Sequence, residues 1–444
     1  INDLQNATPS LVVNTQGISQ VVNIRGIGNA VSSPSITVGI GIYTDGLLAG
    51  EPQNISGAYF DVDTIEVLRG PQGTFVGQAS TGGAIRVNSK RPDFNGLSGY
   101  VEGVYGSFNN TKLAGAVNMP VSDTLAARVA FNTEQKDSYF RNLGSQVARA
   151  PFETLTQPGK TEDRNLRASL LWQPTEAFSA LVRAEFNSTD HDGPSTQPNP
   201  RIYNAPVAGQ PGVTIPIRSQ YWTYDDPNHD PWVLAINNLG VMDTSTTDRF
   251  SADLRYKLSN GYEFRSLTGY QHNLVRDIED GDASLATTAP VQLNIGPNSN
   301  YYTEELTLVS PDGPFNWVVG ATWFYRQSPV TSGGPSYPNC GTNQGTGSFT
   351  ACATNPTPTN WRFANGITNQ RMGGLFGQLN WQFTDQLQLQ VGARYSIDRN
   401  FSLGGGQRNV TATPTAGTVT SVCAPDILGL LPAGVEPEQR AGVA

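Results

Sequence analysis

Histidine is the side chain best suited to proton exchange or transition-metal binding near neutral pH, and this chain of 444 residues has three: His191, His229 and His272. They are scattered, and no His-x-x-x-His pair or carboxylate cluster at metal-ligand spacing joins them. Asp190-His191-Asp192 keeps a metal reading open, but solvated loop histidines are the simpler account and no metal is assigned. Gly159-Lys160-Thr161 has the ending of a phosphate-binding loop. Thr154, however, stands where its first glycine belongs, and no strand precedes it. No Gly-x-Ser-x-Gly elbow and no Cys/His nucleophile pair occurs. The residue types therefore offer no bond chemistry and call for no cofactor: the chain reads as a binding protein and not as an enzyme.

Residues suited to binding are more evident. Tyr203, Tyr221, Trp222, Tyr224 and Trp232 cluster near Asp225, Asp226 and Asp230. Such rings stack on catecholate, porphyrin or sugar faces; the same cluster suits an aromatic belt or simple loop packing. Arg25 and Arg69 each follow strand-forming residues and precede a glycine, Gly26 or Gly70. The net charge of -9 and pI near 4.9 exclude a nucleic-acid partner, which needs clustered Lys and Arg. Mean hydropathy is -0.33, and no run approaches the ~18 apolar residues of a membrane-spanning helix.

What must position these residues is a series of strands. Leu125, Ala127, Val129 and Phe131 alternate with Ala126, Arg128, Ala130 and Asn132, the period of two of a pleated strand. The split recurs at Leu166–Trp172, Phe178–Phe186, Phe250–Tyr256, Phe315–Tyr325 and Leu387–Tyr395, apolar on one face and charged on the other. A soluble sandwich shows a similar alternation, but connection lengths separate the two. Short turns at 120–123, 173–176, 259–261, 311–314 and 383–386 alternate with long links at 137–162, 191–244, 277–300 and 328–368. Outer-membrane barrels place short turns at one end and long loops at the other. About 11 strands of about ten residues follow Leu97 on this reading.

Residues 61–92, DVDTIEVLRGPQGTFVGQASTGGAIRVNSKRP, combine a strand containing Glu66, the Gly70-Pro71 break, a loop with Gly73, and Gly82-Gly83 opening a second strand. This segment resembles the plug signature of TonB-dependent outer-membrane receptors. Ile1–Val13, Asn23–Ala30 and Val38–Gly50 resemble earlier plug segments in the family's order, and 303–327 and 372–400 resemble its mid-barrel hairpins. The resemblance implies a mainly β protein: an N-terminal α+β plug, residues 1–95, inside a transmembrane antiparallel β-barrel, residues 96–444. The family's barrel has about 22 strands, so about half would be present. The chain opens inside the plug-like text, so the export signal and TonB box are expected outside it.

By resemblance the protein is a receptor in the outer membrane of a Gram-negative bacterium that takes up a scarce bulky nutrient. A ferric siderophore is the first choice; cobalamin, haem, an oligosaccharide or a passive channel are alternatives. Expected partners are the TonB-ExbB-ExbD complex, a metal chelate or other small ligand, and outer-membrane lipid and lipopolysaccharide. The family's Arg-Gly turns pair with wall carboxylates, which implies a lock between Arg25 or Arg69 and Glu305. Glu305 faces inward with Thr303 and Thr307, and Glu304 faces the other way. Asn29, Ser32 and Ser33, in the expected apical loop 28–37, are candidate ligand contacts with Tyr221, Trp222 and Tyr224; the expected loop 45–59 would face the same vestibule. Cys340 and Cys352 fall in one expected extracellular loop and are read as a disulfide formed in an oxidising compartment, leaving Cys423 odd.

Overall fold

The computed structural model describes residues 4–16, 19–28, 39–49, 59–70, 82–142, 159–192, 203–206, 214–217, 233–234, 242–280, 291–336 and 360–411. The N-terminal part has one helical turn, α1 (Leu4–Ala7), and two small sheets. Strands β1 (Leu11–Gln16), β2 (Ser19–Ile24) and β3 (Ile27–Gly28) form the first. The second joins β4 (Ile40–Thr44), β5 (Leu47–Leu48), β6 (Val62–Arg69) and β7 (Gly83–Ser89) in the order β5-β4-β7-β6, with β4 parallel to β7. Their shared core is Leu11, Val13, Val22, Ile24, Ile40, Ile42, Ile85 and Val87, branched apolar residues that suit pleated, buried surfaces.

Turn chemistry sets these strands. Asp45 and Gly46 have φ of 53° and 88°, the pair of positive values that a two-residue hairpin turn demands and that Asp-Gly supplies at low cost. Asp45 therefore heads a tight turn between β4 and β5 and does not begin an open apical loop. Gly83 has φ of 138°, and a Cβ there would lie 2.2 Å from the Leu68 carbonyl oxygen. Only glycine lets β7 begin so close to β6.

Most of the other described residues form an eleven-stranded sheet in the order β22-β21-β20-β19-β18-β17-β13-β12-β10-β9-β8. Its members are β8 (Ser98–Gly106), β9 (Asn110–Ser122), β10 (Leu125–Lys136), β12 (Thr161–Thr175), β13 (Phe178–His191), β17 (Met242–Lys257) and β18 (Glu263–Asp280), then β19 (Val291–Val309), β20 (Phe315–Ser336), β21 (Asn360–Thr384) and β22 (Leu387–Thr411). Short strands β11 (Arg141–Asn142), β14 (Tyr203–Pro206), β15 (Thr214–Ile217) and β16 (Val233–Leu234) lie in the long connections. Most main strands outrun the expected ten residues: β19 has 19 and β21 has 25. Hydropathy alternates only where one face is apolar, whereas backbone pairing continues beyond that band.

Val129, Leu170, Val182 and Leu254 are exposed on one face, while Arg128, Arg167, Arg183 and Arg249 are buried on the other. The apolar face carries two aromatic rows. Phe186, Phe250, Tyr270, Tyr302 and Tyr325 follow one another at centroid distances of 5.8, 6.4, 5.2 and 6.1 Å. Near the short turns, Trp172 meets Phe178 at 5.6 Å and Phe315 meets Trp381 at 5.9 Å. Phe178 and Phe186 on β13 are about 27 Å apart along a strand, or about 20 Å in height at the usual tilt of about 40°. Glu304 lies in this band, and the Ser266 and Thr268 hydroxyls donate to it at 2.8 and 2.6 Å.

Candidate functional site

The N-terminal sheets rest on the polar face of the long sheet, and strand register organises the contact into rows. Asn118, Arg128, Ser169, Arg183, Ser251, Gly269 and Thr303 are successive cross-strand partners. Among the described residues, Asp61, Asp45 and Leu47 meet this row. Asp61 accepts from Arg128 Nε at 2.7 Å and Nη2 at 2.5 Å, with both side chains buried. Asp45 accepts from the Ser89 N–H and Oγ, both at 2.9 Å, and lies 3.5 Å from Arg183 Nη2. Leu47 sits against Gly269, where a Cβ would come within 2.4 Å of Leu47 Cδ2. Asp61 has φ of 49°, so both anchoring carboxylates occupy the left-handed region that Asp tolerates better than most residues.

The next row away from the short turns runs Ala130, Arg167, Glu185, Arg249, Gln271, Tyr301. Glu185 accepts from Arg167 Nε at 2.6 Å and Arg249 Nη1 at 2.9 Å, and Gln271 Oε1 accepts from Arg249 Nε at 3.0 Å. Arg167 also donates to the Phe60 carbonyl at 3.1 Å, and its guanidinium lies 4.3 Å from the centre of the Phe60 ring, a cation–π contact. Burial pushes the Tyr59 phenol pKa up; Arg249 opposes that shift and Glu185 adds to it. Tyr59 thus stays neutral where it packs against the core of the N-terminal sheets. Tyr301 closes the row in an apolar cluster with Tyr43, Leu48, Ala84 and Phe324.

The expected site residues are distributed differently. Arg25 is exposed at a hairpin tip with φ of 54°, and Arg69 is exposed at the end of β6. Neither forms an ion pair among the described residues. Glu305 faces inward and lies 3.6 Å from Arg265 Nη1; Arg265 also donates from Nε to Asp253 at 2.9 Å. Glu66 pairs across strands with Arg86 at 3.4 Å. Gly26 and Gly70 have φ of 78° and 86°, and the Gly70 N–H donates to the Gly82 carbonyl at 3.0 Å. Pro71, Gly73, Asn29, Ser32, Ser33, Tyr221, Trp222, Tyr224, Cys340, Cys352 and Cys423 lie outside the described residues. His272 sits between Asn298 at 2.7 Å and Asp248 at 3.9 Å, and no group of three metal-ligating residues forms among the described ones.

A sequence profile described as the TonB-dependent receptor plug domain matches residues 1–84, and one described as TonB dependent receptor-like, beta-barrel, matches residues 172–421. The chain belongs to the TonB-dependent receptor family. The N-terminal sheets are the plug and the long sheet is barrel wall. Among curated relatives, the ferrioxamine B receptor of Salmonella typhimurium is 30% identical over 240 residues, 53% of this chain and 29% of that protein. The pesticin receptor of Yersinia pestis is 31% identical over 126 residues, 28% of this chain and 18% of that protein. The ferric yersiniabactin uptake receptor of Yersinia pestis superposes with a TM-score of 0.68 at 18% identity, over 92% of this chain and 57% of that chain. The chain thus spans little more than half of that solved receptor.

Asp45, Phe60, Asp61, Glu185 and Arg249 escaped the sequence reading as plug–wall contacts. Asp45-Gly46 between two apolar stretches was a readable turn signal. Asp61 had none, because its partner Arg128 is 67 residues away.

Proposed function

We propose that the protein is an outer-membrane receptor for active uptake of a ferric siderophore, energised by TonB with ExbB and ExbD. The observation that carries this reading is the plug held on the polar face of the wall by buried ion pairs, Asp61–Arg128 and Asp45–Arg183. Such a plug obstructs a path lined by polar groups and is fixed by contacts that applied force can undo. The apolar face between the two aromatic rows meets the lipid, with the rings at its margins, as in outer-membrane barrels; lipopolysaccharide is the outer-leaflet neighbour. The plug ends and the wall begins near Asn95, where Asn118 holds the connection. Arg25 and Arg69, exposed on the plug, and the inward-facing Glu305 of the wall form the lock that the family resemblance implies. The relative named as a ferrioxamine B receptor supports an iron chelate as the cargo.

The test is iron-limited growth of a strain lacking the gene, complemented by the full-length gene, with single ferric chelates as the iron source. Complementation that depends on both the receptor and TonB supports the reading. Growth independent of TonB would make the protein a passive channel.

A further inference from the structure

Beyond the charged row lies a third one of different character. Asn132, Asn165, Asn187, Thr247, Asn273 and Ser299 are successive register partners on β10, β12, β13, β17, β18 and β19, and Ser299 Oγ donates to Ser328 Oγ of β20 at 2.8 Å. No position in it is charged. Asn165 and Asn273 are 5% and 0% exposed, yet among the described residues Asn165 Nδ2 and Oδ1 and Asn273 Nδ2 have no hydrogen-bond partner, nor does Asn187 Oδ1. The partners the row does have come from the wall: Asn187 Nδ2 donates to Glu185 at 3.0 Å, and Gln271 Nε2 donates to Asn273 Oδ1 at 3.0 Å. No described plug residue hydrogen-bonds to it, although the two rows below hold the plug through Arg128, Arg183, Gly269 and Arg167.

Buried amides without partners are costly, so their presence needs an account other than stability. Amide donors and acceptors on neighbouring strands with no net charge match a solute whose surface offers carbonyl, hydroxyl and amide groups without net charge. An anion would gain more from the arginine row below.

We propose that this arc is a wall subsite for a neutral, oxygen- and amide-bearing solute of the hydroxamate type, occupied as cargo passes between plug and wall. The subsite deepens the uptake reading and rests on it.

Two experiments on the full-length receptor in outer membranes separate the subsite from the uptake reading. In the first, Asn165→Cys and Asn273→Cys are labelled with iodoacetamide, itself a small neutral amide. Leu181→Cys, a buried apolar position of the same wall, is the control. Labelling of the arc about tenfold faster than the control, slowed by excess acetohydroxamate, is expected if the site favours such solutes by about 1.4 kcal/mol. Rates equal to that of Leu181→Cys overturn the subsite whatever the cargo proves to be. In the second, Asn165→Leu/Asn273→Leu should lower uptake of iron-loaded ferrioxamine E, a neutral trihydroxamate, by about tenfold as two hydrogen bonds are lost. Binding at the cell surface and the melting temperature should not fall. Unchanged uptake by this variant also overturns the subsite, whereas a wild-type receptor that transports no ferric chelate overturns the uptake reading and leaves the labelling result to decide the subsite.

Discussion

Asp61 and Arg128 form a two-bond pair, Nε and Nη2 of one guanidinium to the two oxygens of one carboxylate at 2.7 and 2.5 Å, with neither group open to solvent. Breaking one side of such a pair strands the other charge, at a cost of about 3–5 kcal/mol, whereas replacing both with apolar groups is often neutral. Asp61→Asn should therefore loosen the plug of the full-length receptor much more than Asp61→Gly/Arg128→Met does, glycine being the uncharged residue that the positive φ at 61 accepts without strain. Limited proteolysis of the plug reads the difference. Equal sensitivity in the two variants would mean that the pair does not hold the plug.

Asp45 and Asp61 anchor the plug to one register row, so losing both charges should open that seam. Asp45→Asn/Asp61→Asn in outer membranes should raise the influx of a small chromogenic β-lactam while surface binding of the chelate persists. Influx at the wild-type level would remove the anchoring role of these two residues. Arg25→Ala/Arg69→Ala, measured beside it, tests the lock proposed for those arginines: a rise supports it, and no change retires it.

Gly269 is a test of fit. A side chain there meets Leu47 well inside contact distance, and overpacking of this kind costs about 1–3 kcal/mol. Gly269→Val should lower the melting temperature, and Leu47→Ala in the same protein should restore part of the loss. If Leu47→Ala only adds to the damage, the plug turn does not seat on β18 as described.

The two faces of the wall predict opposite reactivity. Cysteine at Leu170, Val182 or Leu254 should react slowly with a charged, membrane-impermeant thiol reagent in intact outer membranes and quickly after transfer to a short-chain detergent. Labelling in membranes as fast as at a loop position would refute the lipid-facing assignment.

Strand order, face and turn positions were legible because each rests on neighbours in sequence. Leu166-Arg167-Ala168-Ser169 alternates as any half-buried strand must, and Ser259-Asn260-Gly261 turns as its composition requires. What was not legible depends on register across the sheet. Arg167, Glu185 and Arg249 are unremarkable inward charges on three separate strands, and only the pairing of those strands sets them side by side. The same holds for the plug: its glycines mark a family, but Asp61 reaches Arg128 only once two domains have come together. The two Arg-Gly turns drew attention as local motifs, while the buried ion pairs that hold the plug in the described structure use acids on the plug and arginines on the wall.

Asn118 is fully buried; its Oδ1 accepts from the Asp93 N–H at 3.0 Å, and its Nδ2 donates to the Asp93 and Gly96 carbonyls, both at 3.1 Å. Mechanically this clip is a strain relief on a short cable. Between Ser89, the last residue of β7, and Asp93 the chain is Lys90-Arg91-Pro92, so the end of β7 can never lie more than about 14 Å from the clip, even with the backbone pulled straight. A force that tugs the plug toward the periplasm exhausts that slack long before the domain has cleared a wall of this height. Either the clip yields or the plug deforms within the pore, β7 staying moored while the strands ahead of it are drawn away.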